Sequence, residues 1–218
     1  MKLLLTSCGI INESLAKTVK RLVGRRKIKI AFIPTAANAS DSTEKGWLIK
    51  NYNECERLGS VDIVDISAVD KRVWLPRLRA ANVIVMGGGG GKGVLFLMRW
   101  ILKSGLEKEL PNLLKDRVYV GISAGSIIAS KRLSASSMYL FGRKAGVAPK
   151  GLGYIDFYVR PHLNSAKHLK VRDGIVSKRL DRIDGDLYVI DDDTGILCSD
   201  GKVTVVSEGK WKRYTKRR

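Results

Sequence analysis

Short apolar runs alternate with longer stretches in which apolar residues recur every three or four positions. The runs Lys2–Thr6, Lys27–Ile33, Val61–Ile66, Asn82–Met86, Arg117–Ile122, Ile155–Arg160 and Leu187–Ile190 are rich in Val, Ile and Leu. Several are continuous rather than alternating, as expected of strands covered on both faces. The stretches between them predict helices at Glu13–Val23, Thr43–Leu58, Leu95–Lys103, Leu106–Leu114, Ser126–Lys131 and Ala166–Arg179. Alternation of this kind predicts an α/β fold, a mostly parallel sheet with helices on both faces. After Asp193 the texture changes. Gly195–Ser199, Lys202–Ser207 and Lys210–Tyr214 are short strand-like pieces separated by Asp200-Gly201 and Glu208-Gly209. Both dipeptides are hairpin signals, so a small antiparallel appendage is expected at the C-terminus. No repeat or long linker interrupts the 218 residues, which are expected to form one domain.

Open sheets bind ligands beyond the carboxyl ends of their strands. Four predicted strand ends bring Pro34, Gly87–Gly91, Ser123 and His162 toward one crevice. The stretch Val118–Ser126 reads Val-Tyr-Val-Gly-Ile-Ser-Ala-Gly-Ser, a single G-x-S-x-G after a strand-like run. Such a motif places a serine on a sharp strand-to-helix corner, with its hydroxyl open to substrate. The N–H of Ala124 is then available to a developing oxyanion. A packing turn of small residues is the alternative reading of the pentapeptide.

A serine hydroxyl needs a base, and the chain has two histidines. His162 follows a strand in Arg160-Pro-His-Leu-Asn164, where Pro161 stiffens the backbone. His168 stands among lysines and reads as a surface residue. A carboxylate to hold the imidazole is offered by Asp191, Asp192 and Asp193, with Asp192 and Asp193 the better placed. An acidic turn leading to the hairpins is the other reading of that run. Gly87–Gly91 lets backbone N–H groups approach a ligand and offers a second oxyanion donor. A phosphate-binding loop would need Ser or Thr after Lys92, and Gly93 follows.

At 44% hydrophobic residues the chain is globular. It has no apolar window long enough to span a membrane. Met1–Thr6 is too short for a secretory signal and reads as a strand. Cys8, Cys55 and Cys198 lack metal-ligand spacing, which fits a reduced, cytoplasmic setting. The net charge of +19 is large. A solvated basic surface is the favoured reading, with attraction of acidic substrates second. Nucleic acid is disfavoured as a partner, because no aromatic-rich binding motif accompanies the basic residues.

Together these pieces resemble the dipeptidase E / cyanophycinase family of serine peptidases, which have a class I glutamine-amidotransferase-like fold. The resemblance covers nearly the whole chain. It rests on Ala31-Phe-Ile-Pro-Thr-Ala36, Val83-Ile-Val-Met-Gly-Gly-Gly89, Gly121-Ile-Ser-Ala-Gly-Ser126, Arg160-Pro-His-Leu-Asn164 and Asp191-Asp-Asp-Thr-Gly195. It implies Ser123 as nucleophile and His162 as base. Asp193 would be the acidic partner, or Asp192 if the loop shifts by one. The N–H groups of Ala124 and Gly89 would form the oxyanion hole. It implies no metal or organic cofactor. Gly90 stands where the family carries an asparagine after its glycines. Relatives that cleave after an N-terminal aspartate hold its carboxylate with basic residues beyond the histidine, where this chain has Lys167, Lys170 and Arg172. The expectation is a cytoplasmic serine peptidase for short, Asp-containing peptides, acting through an acyl-enzyme. A homodimer stays open, as do a catalytically silent binding protein and an amidase or esterase with the same triad.

Overall fold

The computed structural model describes residues 1–40, 44–142 and 146–216. Thr43 of the expected helix 43–58, and Arg217 and Arg218, lie outside them. The strands are β1 (Lys2–Thr6), β2 (Lys29–Ile33), β3 (Ser60–Ile63), β4 (Val83–Met86), β5 (Val118–Ile122), β6 (Tyr158–Arg160), β7 (Leu187–Ile190), β8 (Thr194–Ser199), β9 (Lys202–Ser207) and β10 (Trp211–Tyr214). The helices are α1 (Glu13–Val23), α2 (Gly46–Glu56), α3 (Lys71–Ala80), α4 (Gly90–Ser104), α5 (Leu106–Leu113) and three single turns, α6 (Ala124–Ile127), α7 (Ser137–Leu140) and α8 (Asp173–Val176).

Among the described residues, seven strands form the main sheet in the order β3-β2-β4-β5-β1-β8-β9. The first five run parallel, and β8 and β9 add an antiparallel edge. The period of two along each strand feeds two cores. Leu4, Phe32, Val85 and Val120 join Leu15 and Val19 of α1 and Cys55 of α2 on one face. Leu3, Leu5, Ile84 and Tyr119 join Trp74 of α3, Leu97 and Ile101 of α4 and Leu110 of α5 on the other. Burial on both sides explains the continuous apolar runs.

The α/β expectation holds, although α3 has no counterpart among the expected helices and the expected helix 126–131 is only the single turn α6. Three further differences concern the layout. First, β6 and β7 leave the main sheet and pair with β10 in a separate three-stranded sheet, order β10-β7-β6. It has its own core of Tyr158, Leu163, Val171, Val176, Leu187 and Val189. An apolar run reports burial, not which sheet it joins. Second, only Asp200-Gly201 closes a hairpin, between β8 and β9. Its φ values of 53° and 73° suit a tight two-residue turn. Glu208-Gly209 instead carries the chain across to β10, which pairs with β7. The Asp191 carboxylate holds that crossing by accepting from the Lys210 N–H.

Third, two helices move. The helix expected from Leu95 begins at Gly90, so only Gly87–Gly89 remain a loop. The expected helix 166–179 is replaced by turns, then α8 and a 3-10 segment, Ser177–Arg182. Backbone bonds there run from the His168 N–H to Ser165 O and from the Val171 N–H to His168 O, turns rather than a helical ladder. They follow positive φ values of 71° at His162 and 59° at Asn164 that set the chain's direction before residue 166. The Asn164 N–H then donates to Val171 O at 2.8 Å and closes residues 164–171 into a loop.

Candidate active site

Ser123 stands between β5 and α6 with φ 49° and ψ −98°. A non-glycine residue in this region is strained and needs its surroundings to hold it there. Three hydrogen bonds tie the corner to β1. The Ser123 N–H donates to Thr6 O at 3.0 Å, the Ser126 hydroxyl donates to the same oxygen at 2.7 Å, and the Thr6 hydroxyl donates to Gly121 O at 2.7 Å. The glycines of the motif are steric requirements. A Cβ on Gly125 would lie 2.0 Å from Met86 O, and one on Gly121 2.7 Å from Ser126 N. A packing turn would share this tightness, so the partners of the hydroxyl decide between the two readings.

Those partners are present. Ser123 Oγ lies 2.9 Å from His162 Nε2, and His162 Nδ1 lies 2.8 Å from Asp192 Oδ1. A proton on Nδ1, shared with the carboxylate, leaves Nε2 free to accept from the serine. The His162 side chain is 12% exposed and that of Asp192 35%. Burial works to raise the Asp192 pKa. The hydrogen bond and charge of His162 outweigh it, with help from Cys8 and Ser7, and hold the carboxyl well below the usual carboxylate range. Asp192 therefore stays charged and keeps the imidazole oriented.

The three adjacent aspartates divide their work. Asp191 caps the turn, accepting from the Asp193 N–H and the Thr194 hydroxyl. Asp192 faces His162. The expectation of Asp193 as the acidic partner is corrected: its side chain is exposed, and its carbonyl accepts from Asn12 at 2.8 Å. A turn in which Asp191 points back to the chain leaves the middle residue facing the imidazole.

Ser7 is a member of the site that sequence reasoning missed. Its buried hydroxyl donates to Asp192 Oδ1 at 2.9 Å and accepts from the His162 N–H at 3.0 Å. It thus couples the backbone at His162 to the carboxylate. The available signal was its place just past the carboxyl end of β1. Cys8 follows, with Sγ 3.8 Å from His162 Nδ1. Cys8, His162 and Asp192 are the one thiol, imidazole and carboxylate cluster close enough to converge on an ion among the described residues. Burial, then the Asp192 charge, pushes the Cys8 thiol far up, so it stays protonated and is a poor ligand. His162 and Asp192 are already spent on each other.

The chain's sequence matches the family described as peptidase family S51 over residues 3–206. The chain belongs to peptidase family S51. It is a serine-type peptidase. No curated protein sequence matches it. Solved structures share its fold, two peptidases among them. A protein assigned as peptidase E from Listeria monocytogenes EGD-e is 21% identical with a TM-score of 0.75, covering 95% of this chain and 98% of that one. A peptidase from an acI-B1 Actinobacterium is 22% identical with a TM-score of 0.74, covering 98% and 93%.

In this S51 peptidase the glycine loop borders the serine directly. A Cβ on Gly88 would lie 3.3 Å from Ser123 Cβ. No backbone hydrogen bond among the described residues uses the N–H of Gly88, Gly89 or Ala124. A small pocket holds Ser123, Gly90, Ser137, Arg160, His162 and His168 among its walls. A larger cavity of about 560 Å³ lies elsewhere, against Asp156, Phe157, Tyr188 and Arg213, and contains none of these residues. Lys167 and Lys170 are exposed, and Arg172 donates to Ser165 O. Arg160 is the basic residue in the pocket wall. It is 3% exposed and donates to Ala135 O and Ser137 Oγ, each at 2.9 Å. Its Nε has no hydrogen-bond partner among the described residues. Burial lowers its pKa to about 10, with no carboxylate to counter it. No helix among the described residues is long and apolar enough to cross a membrane.

Proposed function

We propose that this peptidase hydrolyses short peptides through an acyl-enzyme on Ser123, with His162 as base and Asp192 as its orienting partner. The observation that carries this reading is the unbroken path from Ser123 Oγ through the imidazole to Asp192, at 2.9 and 2.8 Å. These are working distances for a nucleophile and its base. His162 takes the hydroxyl proton as Oγ attacks the scissile carbonyl. The carbonyl oxygen gains charge and is held by the N–H groups of Ala124 and of the glycine loop, at Gly89. His162 then protonates the leaving amine, and the C–N bond breaks. Water, deprotonated by the same imidazole, releases the acid and restores the serine.

Arg160 supports a substrate with a carboxylate, such as the side chain of an aspartyl residue. Its guanidinium is buried, lacks an acidic partner and lies in the wall beside the nucleophile. A carboxylate entering the pocket would supply the missing acceptor. The basic surface favours the same substrates at longer range. The test is a panel of Asp-X, Glu-X and neutral dipeptides beside simple esters. Acidic dipeptides are expected to lead by about tenfold or more in kcat/KM, and Arg160→Gln is expected to abolish that lead. Equal rates on acidic and neutral peptides would remove the acidic specificity. Turnover of esters alone would contradict peptide hydrolysis.

A further inference from the structure

His168 does not behave as the surface residue that its lysine neighbours suggest. Its ring lies on the His162 ring, with centroids 4.0 Å apart and planes 13° from parallel. The loop that delivers it is tightly specified. The Ser165 N–H donates to His162 O, the His168 N–H to Ser165 O and the Val171 N–H to His168 O. Asn164 N–H to Val171 O closes the loop, and Val171 is buried beneath it. The chain leaves the base and turns back within six residues to cover one face of it.

We propose that His168 is a positioning residue for the catalytic imidazole, clamping one face of His162 and stabilising the positive charge it acquires on taking the Ser123 proton. This rests on the assignment of Ser123 and His162 made above. Two positive rings could not share such a stack, so one must stay neutral. Burial first, then the charges of His162 and Arg160, lowers the His168 pKa to about 4. Lys167 acts in the same direction and Asp192 against it. These are the charged groups whose fields act on the ring. His168 is therefore neutral wherever His162 works as a base. It offers a π face to an imidazolium in a partly desolvated pocket, where cation–π attraction is strongest. The stack also fixes the ring plane, leaving Nε2 aimed at the serine.

The test needs no knowledge of the natural substrate. A fluorophosphonate forms a bond from Ser123 Oγ to phosphorus with loss of fluoride, while His162 accepts the hydroxyl proton. The inactivation rate is followed from pH 4.5 to 9 for the wild type and for His168→Phe, His168→Leu and His168→Ala. Phe keeps a π face and Leu keeps only bulk. His168→Phe is expected within about twofold of wild type with the same pH profile. His168→Leu is expected about tenfold slower at its plateau, with the acid limb moved to lower pH. If His168→Ala fails to fold, the Phe and Leu comparison decides alone. Leu matching Phe in rate and profile would reduce the role to packing and overturn the proposal. So would variants indistinguishable from wild type. A wild-type serine that ignores the probe would overturn the nucleophile assignment itself, a result distinct from either.

Discussion

At the scale of single residues, the site depends on which atom of a crowded turn faces the imidazole. Asp191, Asp192 and Asp193 are chemically identical, yet only Asp192 reaches His162 Nδ1. Asp192→Asn would let the wrong tautomer form and is expected to lower kcat by about 10³–10⁴-fold. Asp193→Asn, at an exposed side chain, is expected to change kcat/KM by less than about twofold. Steady-state kinetics on the two variants checks both. Protons at two residues also set the acid behaviour. The Asp192 carboxyl lies far below its unfolded value, so the stability it lends is full above about pH 4 and fades only in stronger acid. His168 has a folded pKa of about 4 against 6.5 for the free side chain. The unfolded chain therefore binds a proton first as pH falls. Stability is lost through the window from 6.5 to 4. Melting temperatures measured across that window should fall for the wild type and fall less for His168→Phe. Ser123 and His162 could be read from the sequence because motif and strand end coincide in each. Ser7 was harder to read, since its one signal is a place just past the end of β1, with no motif around it. His168 was misjudged because its neighbours in sequence are charged, while its neighbour in space is a ring.

At the scale of elements, the strand-to-helix corners carry the constraint. β4 and β5 lie side by side, and the elbow after β5 is pressed against Met86 at the end of β4. Gly125→Ala would drive a methyl into Met86 O, where a Cβ would sit 2.0 Å away. The expected cost is about 3 kcal/mol or more, because the obstacle is backbone. Denaturant unfolding of this variant measures it, and a loss below about 1 kcal/mol would mean that the corner is looser than described. The central strands were legible because burial on both faces writes itself as unbroken Val, Ile and Leu. The helix ends were less so. The stripe Val94, Leu97, Met98 and Ile101 marks the buried face of α4, yet its first turn is Gly90–Gly93, which no propensity would place in a helix. Close packing explains the exception, since a Cβ on Gly93 would come within 2.9 Å of Ala36 O. The 164–171 loop was hidden for the opposite reason. Its sequence suits a helix, and the bond from the Asn164 N–H to Val171 O closes it as a loop instead.

At the scale of the whole molecule, the site lies where two sheets meet. The main sheet supplies Ser123, Ser7 and the glycine loop from the ends of β5, β1 and β4. The small sheet supplies His162 and Asp192 from the ends of β6 and β7. Periodicity cannot assign strands to sheets, so the sequence predicted one crevice without showing that two layers build it. The hydrogen bonds from Ser7 to Asp192 and from the His162 N–H to Ser7 fasten one layer to the other at the candidate site. The central claim is that this junction makes a single serine nucleophilic. Intact-protein mass spectrometry after fluorophosphonate treatment, with the modified peptide sequenced, tests it most directly. The account predicts one adduct, on Ser123, formed readily by the wild type and at least about 10³-fold more slowly by His162→Ala. An adduct at another residue, or equal rates for the two proteins, would contradict it.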